Sequence, residues 1–159
     1  MMKSYDVVGV GGTFDELHKG HRTLLSKAFE ISEKVIIGLS SDEFAGKMDK
    51  PHITASYASR LKEIKNFLNE KGLLQRAEIV PINDAYGGVL LAKSLIKALV
   101  VSKETERAAL EINEKRRQLR LPKLQIIVIE MVPSQNHSPI STTRIRRGEI
   151  DREGYLLRT

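Results

Sequence analysis

Residues 5–21 read YDVVGVGGTFDELHKGH, and this stretch decides the fold. Its first part, residues 5–10, is a short segment rich in valine, as expected of a buried strand. A glycine pair and a polar loop follow, and a helical pattern begins near His21. This succession of strand, loop and helix is how a parallel α/β sheet begins. Because such sheets bind ligands at the carboxyl ends of their strands, we expect a site directly after residue 10.

The rest of the chain repeats this alternation of short apolar segments and longer helical patterns. Four more strands are predicted, at residues 35–39, 77–82, 98–101 and 125–129. Helices are predicted from about residue 21, over a face marked by Tyr57, Leu61, Ile64 and Leu68, over residues 104–119, and from about Arg144. A charged loop is expected over residues 40–55. We therefore predict one domain over residues 1–159, a Rossmann-like, doubly wound five-stranded parallel sheet with helices on both faces.

The composition excludes several classes of protein. The chain has 159 residues, no cysteine and a net charge of +6, so disulfides, thiolate zinc sites and a cysteine nucleophile are ruled out. Lysine and arginine are interspersed with acidic residues and no nucleic-acid recognition motif is present, so we expect no nucleic-acid partner. The sequence has neither a long apolar stretch nor an apolar leader, so we expect no membrane partner and a cytoplasmic location.

The two histidines after the glycine pair are the first candidate site residues. His18 and His21 are three residues apart, so both imidazoles project to one side if this turn is helical. Gly20 keeps that side free of a Cβ atom. Two ring nitrogens there can donate to phosphate oxygens, helped by glycine backbone N–H groups and by the helix N-terminus. An isolated pair of this spacing is also typical of surface or capping residues. A zinc site is not predicted, because the H-E-x-x-H pattern is absent.

A second candidate segment, residues 140–146, reads ISTTRIR. Ser141, Thr142 and Thr143 offer hydroxyl groups that can cap a helix starting near Arg144. Hydroxyl groups and unpaired N–H groups at a helix N-terminus, with an arginine behind them, form a phosphate-binding arrangement. Alone, the segment is equally compatible with a capped surface helix.

Together, the two segments resemble the signatures of the nucleotidyltransferase superfamily, G-T-F-D … H-x-G-H and a late I-S-S-T-x-x-R. Thr142 stands where the family pattern has its second serine, which keeps the hydroxyl group. The resemblance implies that a phosphate-bearing substrate attacks the α-phosphorus of a nucleotide, and that Mg²⁺ accompanies ATP and is held mainly by substrate and water. The nucleotide contacts that we expect come from Gly12, Thr13, Phe14, Gly20, His21, Ser102, His137, Ile140, Ser141, Thr142, Thr143 and Arg146.

Three further segments favour one branch of this superfamily. Residues 101–105 read VSKET and residues 111–116 read EINEKR, similar to the V-S-x-E-T … V-N-x-x-R pattern of the archaeal and eukaryotic pantetheine-phosphate adenylyltransferases. Residues 136–139 read NHSP and lack the R-T-x-G that marks the cytidylyltransferases, which argues against CTP. The resemblance therefore implies ATP and 4′-phosphopantetheine as substrates, with Asn113 and Arg116 near the acceptor.

The acceptor phosphate also needs a cation, which reduces the repulsion between two anions that must come within bonding distance. Residues 42–51 resemble the loop that supplies a lysine to this phosphate in the family, and either Lys47 or Lys50 fits. The expected catalytic residues are His18, His21, Lys47, Lys50 and Arg146. The expected substrate-binding residues are Thr13, Lys47, Lys50, Asn113 and Arg116.

Two other functions remain compatible with the motifs. One is another small nucleotidyltransferase, which forms FAD, acts on a mononucleotide or uses CTP. The other is a non-catalytic nucleotide-binding protein with the same fold. The resemblance covers residues 5–148 and leaves residues 149–159 unexplained. We expect a monomer or a small homo-oligomer.

Overall fold

The computed structural model describes residues 3–47, 53–84, 96–130 and 140–157. In these ranges five parallel strands form one sheet, in the order β3-β2-β1-β4-β5. The strands are β1 Tyr5–Gly12, β2 Ser32–Ser40, β3 Ala77–Ile82, β4 Ala98–Ser102 and β5 Gln125–Ile129. The helices are α1 Lys19–Ile31, α2 Asp42–Lys47, α3 Tyr57–Glu70, α4 Glu106–Gln118 and α5 Thr142–Arg146, with a 3₁₀ turn at Leu74–Arg76.

The centre of the sheet is β1, which pairs with β2 on one side and β4 on the other. Val10 lies opposite Ile37 of β2, and Val8 lies opposite Ala98 of β4. The chain first adds β2 and β3 outward on one side and then crosses back to place β4 beside β1. This reversal opens a crevice at the carboxyl ends of β1 and β4, which is where open α/β sheets bind their ligands.

Both faces of the sheet are covered, as the runs of apolar residues predict. On one face, α1 and α3 bury Leu25 and Ile64 in the same cluster as Ile37 of β2. On the other face, α4 buries Ala109 in a cluster with Val101 of β4. The prediction of a parallel α/β sheet with helices on both faces is therefore confirmed. None of the helices in the described ranges is long and apolar enough to cross a membrane.

The expectation of a loop across residues 40–55 is wrong in its first half, where α2 forms. Ser41 caps this helix, because its hydroxyl oxygen accepts a hydrogen bond from the Phe44 amide at 3.1 Å. Asp42 and Glu43 occupy the first turn, where negative charge favours the helix dipole. Ala45 is buried. Six residues give no periodic apolar pattern, so only the capping residues could have indicated this helix.

Candidate active site

A cavity of about 500 Å³ opens at the carboxyl ends of β1 and β4, a size suited to a small-molecule ligand. Both candidate segments line it. The residues from the first segment are Gly12, Thr13, Phe14, Asp15, His18, Gly20 and His21, and those from the second are Ile140, Ser141, Thr142 and Thr143. Ser102, the last residue of β4, also lines the cavity, together with Glu104 and Thr105, which follow it. The structure thus brings together segments that are about 120 residues apart in the sequence.

The His18 side chain is the N-cap of α1. Its Nδ1 atom accepts hydrogen bonds from the backbone N–H groups of Gly20, at 3.0 Å, and His21, at 3.3 Å. In return, Nδ1 of His21 accepts from the His18 backbone N–H at 3.3 Å. The two rings stack with their centroids 3.6 Å apart. Because both Nδ1 atoms act as acceptors, each neutral ring carries its proton on Nε2.

The environment of His18 favours this neutral form. The ring is 6% exposed, and burial lowers its pKa from 6.5 to about 4, with further lowering by the positive charges of Arg22 and Arg152. At neutral pH, His18 is therefore an uncharged group with an Nε2–H donor, held in one orientation by its two backbone hydrogen bonds.

The capping of α1 bonds its first amides within the protein. The four N–H groups without a helical acceptor are those of residues 18–21, and each has a partner. The amides of Gly20 and His21 bond to the His18 ring, that of Lys19 to the Arg152 carbonyl at 2.8 Å, and that of His18 to Nδ1 of His21 at 3.3 Å. The side chains of His18 and His21 belong to residues that line the cavity.

Gly20 keeps the space beside the His18 ring free of a Cβ atom, as expected. A Cβ atom at this position would lie 2.9 Å from Cε1 and 3.0 Å from Nδ1 of His18. Real Cβ atoms do not approach that closely, so any side chain at residue 20 would displace the His18 ring. The glycine gives the histidine its place over the first turn of α1.

Asp15 joins the two candidate segments. Its carboxylate, 1% exposed, accepts hydrogen bonds from Nε and Nη2 of Arg146, both at 3.0 Å, and from the Ala55 amide at 3.2 Å. Its backbone carbonyl accepts from the Thr142 hydroxyl at 2.7 Å. Such a two-pronged arginine–carboxylate pair fixes orientation as well as distance. The position of α5 relative to β1 is therefore set by Asp15.

These contacts hold a turn that is unfavourable in isolation. Phe14 and Glu16, on either side of Asp15, have φ angles of 52° and 60°, in the left-handed region that costs an L-residue about 1–2 kcal/mol. Backbone strain of this kind persists where surrounding contacts over-determine it, often at functional sites. Here the contacts come from Arg146, Thr142 and Ala55.

Arg146 bonds to Asp15 in this structure, and its expected role as a phosphate ligand stays a prediction. Hydrogen bonding to Asp15 raises its pKa, Nη2 also lies 3.2 Å from a Glu16 carboxylate oxygen, and Arg146 is not among the described residues that line the cavity. The residues of the second segment that line the cavity include Ser141, Thr142 and Thr143. Ser141 caps α5 by accepting from the Arg144 amide at 3.2 Å, as predicted.

Ser102, which is expected to contact the nucleotide, lies in the cavity lining. The Ser102 amide donates to the Thr105 hydroxyl at 3.1 Å, and the two hydroxyl oxygens are 3.3 Å apart. The Thr13 hydroxyl donates to the Ser40 hydroxyl at 3.4 Å. All four of these hydroxyl-bearing residues line the cavity.

Of the two predicted lysines, the structure describes Lys47. Lys47 is 70% exposed and lies 3.4 Å from Glu43 in an ion pair along α2. It is not among the described residues that line the cavity, although Phe44 of the same helix is. Lys50 and His137 lie outside the described residues, and so do residues 136–139, on which the argument against CTP depends.

Asn113 and Arg116 do not reach the cavity in the described part of the chain, which corrects their expected contact with the acceptor. The Asn113 amide group bonds to both the N–H and the carbonyl of Leu124, each at 2.8 Å. Arg116 is 4% exposed, and its Nε donates to the Pro122 carbonyl at 2.7 Å. Both side chains fix the connection between α4 and β5, because a buried polar group must find a partner in the fold.

The structure also reveals a residue that the sequence analysis missed. Arg60 is fully buried, and its Nη1 donates to the carbonyls of Thr13, at 3.0 Å, and Ser40, at 2.8 Å. Its Nε donates to the Ala55 carbonyl at 2.8 Å. It therefore ties the ends of β1 and β2 to the start of α3. The available signal was its position on the apolar stripe of α3, three residues after Tyr57.

The comparison with known families agrees with this geometry. The model of the cytidylyltransferase-like family matches residues 10–148. The chain is 42% identical over 158 residues to the phosphopantetheine adenylyltransferase of Methanothermobacter thermautotrophicus, covering 99% of this chain and 93% of that one. It is 44% identical over 144 residues to the phosphopantetheine adenylyltransferase of Methanopyrus kandleri, covering 91% and 90% of the two chains.

Solved structures give the same fold. A protein of unknown function from Archaeoglobus fulgidus has a TM-score of 0.68 and 30% identity, with 86% of this chain and 99% of that chain covered. A bifunctional NMN adenylyltransferase/ADP ribose pyrophosphatase from Francisella tularensis has a TM-score of 0.60 and 22% identity, with 90% of this chain and 41% of that chain covered. The second likeness is one of fold alone.

Fold and site thus define a nucleotidyltransferase. The chain belongs to the cytidylyltransferase-like family, in the group of the archaeal phosphopantetheine adenylyltransferases.

Proposed function

We propose that this chain transfers the adenylyl group of ATP to 4′-phosphopantetheine, giving dephospho-coenzyme A and pyrophosphate. The observation that carries the proposal is the single cavity in which the His18–His21 turn and the hydroxyl groups of residues 141–143 meet. The full-length similarity to archaeal phosphopantetheine adenylyltransferases supports the choice of substrates within this family.

The reaction is an in-line displacement at the α-phosphorus of ATP. An oxygen of the acceptor phosphate forms the new bond to this phosphorus, the bond to the β-phosphate oxygen breaks, and pyrophosphate leaves. A phosphate monoester has a second pKa of about 6, so it is already a nucleophile at neutral pH and needs no general base. The protein therefore contributes positioning and charge stabilisation.

The histidine turn stabilises the charge that develops on the phosphate oxygens. His18 is neutral at pH 7, because burial lowers its pKa to about 4, and it presents an Nε2–H donor in a fixed orientation. His21 has the same Nδ1-acceptor arrangement. Donors that are oriented before the reaction cost no reorganisation when charge develops, and losing one such donor costs about 3 kcal/mol in comparable sites.

The second segment suits the leaving pyrophosphate. Ser141, Thr142 and Thr143 line the cavity at the start of α5. Thr13, which also lines the cavity, is suited to orient the acceptor phosphate. Lys47 and Lys50 remain our candidates for the cation beside that phosphate, since Lys47 is the last residue of α2 and Phe44 of the same helix lines the cavity. Lys50 is three residues further along the sequence.

Mg²⁺ is the expected companion of ATP. In the described ranges, no group of three or more His, Asp or Glu side chains forms a metal cage. The ion that we propose is held mainly by phosphate oxygens and water, the usual arrangement for Mg²⁺. When bound, the ion supplies charge neutralisation on the triphosphate.

A substrate matrix tests the proposal. ATP and CTP are each combined with 4′-phosphopantetheine, nicotinamide mononucleotide, FMN and glycerol 3-phosphate, and pyrophosphate release is measured. We expect release with ATP and 4′-phosphopantetheine alone. Release with CTP and glycerol 3-phosphate, without any from 4′-phosphopantetheine, would overturn the substrate assignment. Calorimetric binding of ATP without release from any pair would instead indicate a non-catalytic nucleotide-binding protein.

A further inference from the structure

Residues 149–157, here called the C-terminal strap, fold back from α5 onto the histidine turn. The strap is a tight turn centred on Asp151, whose Oδ1 accepts from the amides of Glu153 and Tyr155, both at 2.9 Å. An antiparallel bridge joins Ile150 to Leu156, and Ile150 is fully buried. These contacts give the strap a defined shape anchored in the protein interior.

Arg152, at the tip of the strap, contacts the chain on both sides of His18. Its backbone carbonyl accepts from the Lys19 amide at 2.8 Å. Its Nε and Nη2 donate to one Glu16 carboxylate oxygen, at 3.1 and 3.0 Å, and its Nη1 donates to Glu63 of α3 at 2.9 Å. The strap also pairs Glu153 with Arg22 of α1. Residues 16 and 19, which bracket His18, are thus both held by one residue.

This arrangement matters because the turn before His18 is strained. Glu16 has a φ angle of 60°, and a residue held in that region returns to a commoner conformation when its contacts are lost. A single residue, Leu17, separates Glu16 from His18, so a change in the Glu16 backbone moves the imidazole. The Arg152 charge also helps to keep His18 neutral, since its proximity lowers the His18 pKa.

We propose that Arg152 is a positioning residue of the active site, which holds the Glu16–Lys19 turn so that the His18 imidazole faces the nucleotide phosphates. This rests on the proposed function, since it takes phosphates as the target of His18. Arg152 is not among the described residues that line the cavity, so it acts through Glu16 and Lys19 and does not touch substrate.

The test compares Arg152→Ala and Arg152→Lys with a matched surface control, Arg107→Ala. Arg107 is 92% exposed and also pairs with a glutamate, Glu111 of α4. We expect Arg152→Ala to lower kcat about 10-fold, because displacements of about 1 Å at an active site cost up to about 100-fold, while KM for ATP changes less than threefold. Arg152→Lys keeps the positive charge but lacks the several N–H donors of the guanidinium group, so its kcat should lie between those of Arg152→Ala and the unchanged protein. Arg107→Ala should match the unchanged protein.

A double-substitution cycle tests whether Arg152 acts on His18 through Glu16. If Arg152 acts through Glu16, then Glu16→Gln lowers kcat as Arg152→Ala does, and the two together lower it no further than one alone. Glu63→Gln, which weakens only the contact between Arg152 and α3, should have a much smaller effect on kcat. Additive losses from Arg152→Ala and Glu16→Gln would contradict the proposal.

A spectroscopic readout separates this proposal from the proposed function. In ¹⁵N NMR of the histidine side chains, Arg152→Ala should shift the His18 resonances and Arg107→Ala should not. Unchanged His18 resonances, or a lower melting temperature with kcat unchanged, would overturn the positioning role. If the unchanged protein released no pyrophosphate with 4′-phosphopantetheine while these shifts were seen, the proposed function would fail and the placement of His18 by Arg152 would stand.

Discussion

His18 carries two separable tasks on two nitrogen atoms, and substitution by asparagine should separate them. The asparagine side-chain oxygen takes the place of Nδ1 and accepts from the first-turn amides of α1, as asparagine does at many helix N-caps. It has no counterpart of Nε2. We therefore expect His18→Asn to keep the helix start and to lose the donor to the phosphate.

The magnitudes follow from the contacts of the ring. Losing one preorganised donor to developing charge costs about 3–4 kcal/mol, or about 10²–10³-fold in kcat. Losing an N-cap costs about 1 kcal/mol of stability, which lowers the melting temperature of a protein of this size by about 2–4 °C. His18→Ala loses both the cap and the donor. His18→Asn should therefore match His18→Ala in kcat and exceed it in melting temperature.

The assay pairs pyrophosphate release with thermal unfolding for each variant. His18→Gln serves as the reciprocal control, because the glutamine amide reaches toward the Nε2 position and caps poorly. It should retain more kcat than His18→Asn and melt at a lower temperature. If His18→Asn were as destabilised as His18→Ala, or if it kept a kcat near that of the unchanged protein, the division of tasks between Nδ1 and Nε2 would be refuted.

Three other predictions test separate parts of the account. The free energy of unfolding should fall by up to about 3 kcal/mol between pH 6.5 and pH 4, because His18 takes up its proton at a higher pH in the unfolded chain than in the folded one. Urea titrations at several pH values measure this loss, and His18→Asn should abolish the part of it that is due to His18. Gly20→Ala should lower kcat by more than about 10-fold by displacing the His18 ring. Gly46→Ala is the control and should leave kcat unchanged, because a Cβ atom at residue 46 has no other atom within 4 Å. Equal kcat values for the two variants would contradict the packing argument. Asn113→Ala should cost about 1–3 kcal/mol of stability through its two lost bonds to Leu124, with KM for 4′-phosphopantetheine unchanged; a large rise in that KM would restore Asn113 as a substrate-binding residue.

The sheet could be predicted because each of its strands is indicated by its own residues. A parallel strand buried on both faces requires a run of apolar, β-branched residues, and those runs stand out between helical patterns. Ala77–Ile82 and Gln125–Ile129 have the predicted bounds. β1 and β2 extend further, through Gly12 and from Ser32, because backbone pairing continues past the apolar residues.

The position of a site residue could be predicted where it depends only on the neighbouring strand or helix. The histidine turn and the hydroxyl groups after Ile140 lie next to strand ends or helix starts, so their place in the cavity follows from local structure. The resemblance to a known family then connected two segments that are far apart in the chain.

The sequence could not show whether a polar side chain bonds to the substrate or to another residue of the fold. Asn113, Arg116 and Arg146 were expected at the substrate, and the structure gives each a partner within the fold. Both choices satisfy a buried polar group, so the residue type alone does not distinguish them. Arg152 posed the opposite problem, since its partners Glu16 and Glu63 are more than 80 residues away.

The most direct test of the central claim is to identify by mass the products formed from ATP and 4′-phosphopantetheine. The unchanged protein should give dephospho-coenzyme A and pyrophosphate in equal amounts, and His18→Asn, at equal folded concentration, should give them about 10²–10³-fold more slowly. AMP or ADP as the nucleotide product would contradict attack on the α-phosphorus. No product from this pair, with an adenylylated or cytidylylated product from another acceptor, would contradict the assigned function.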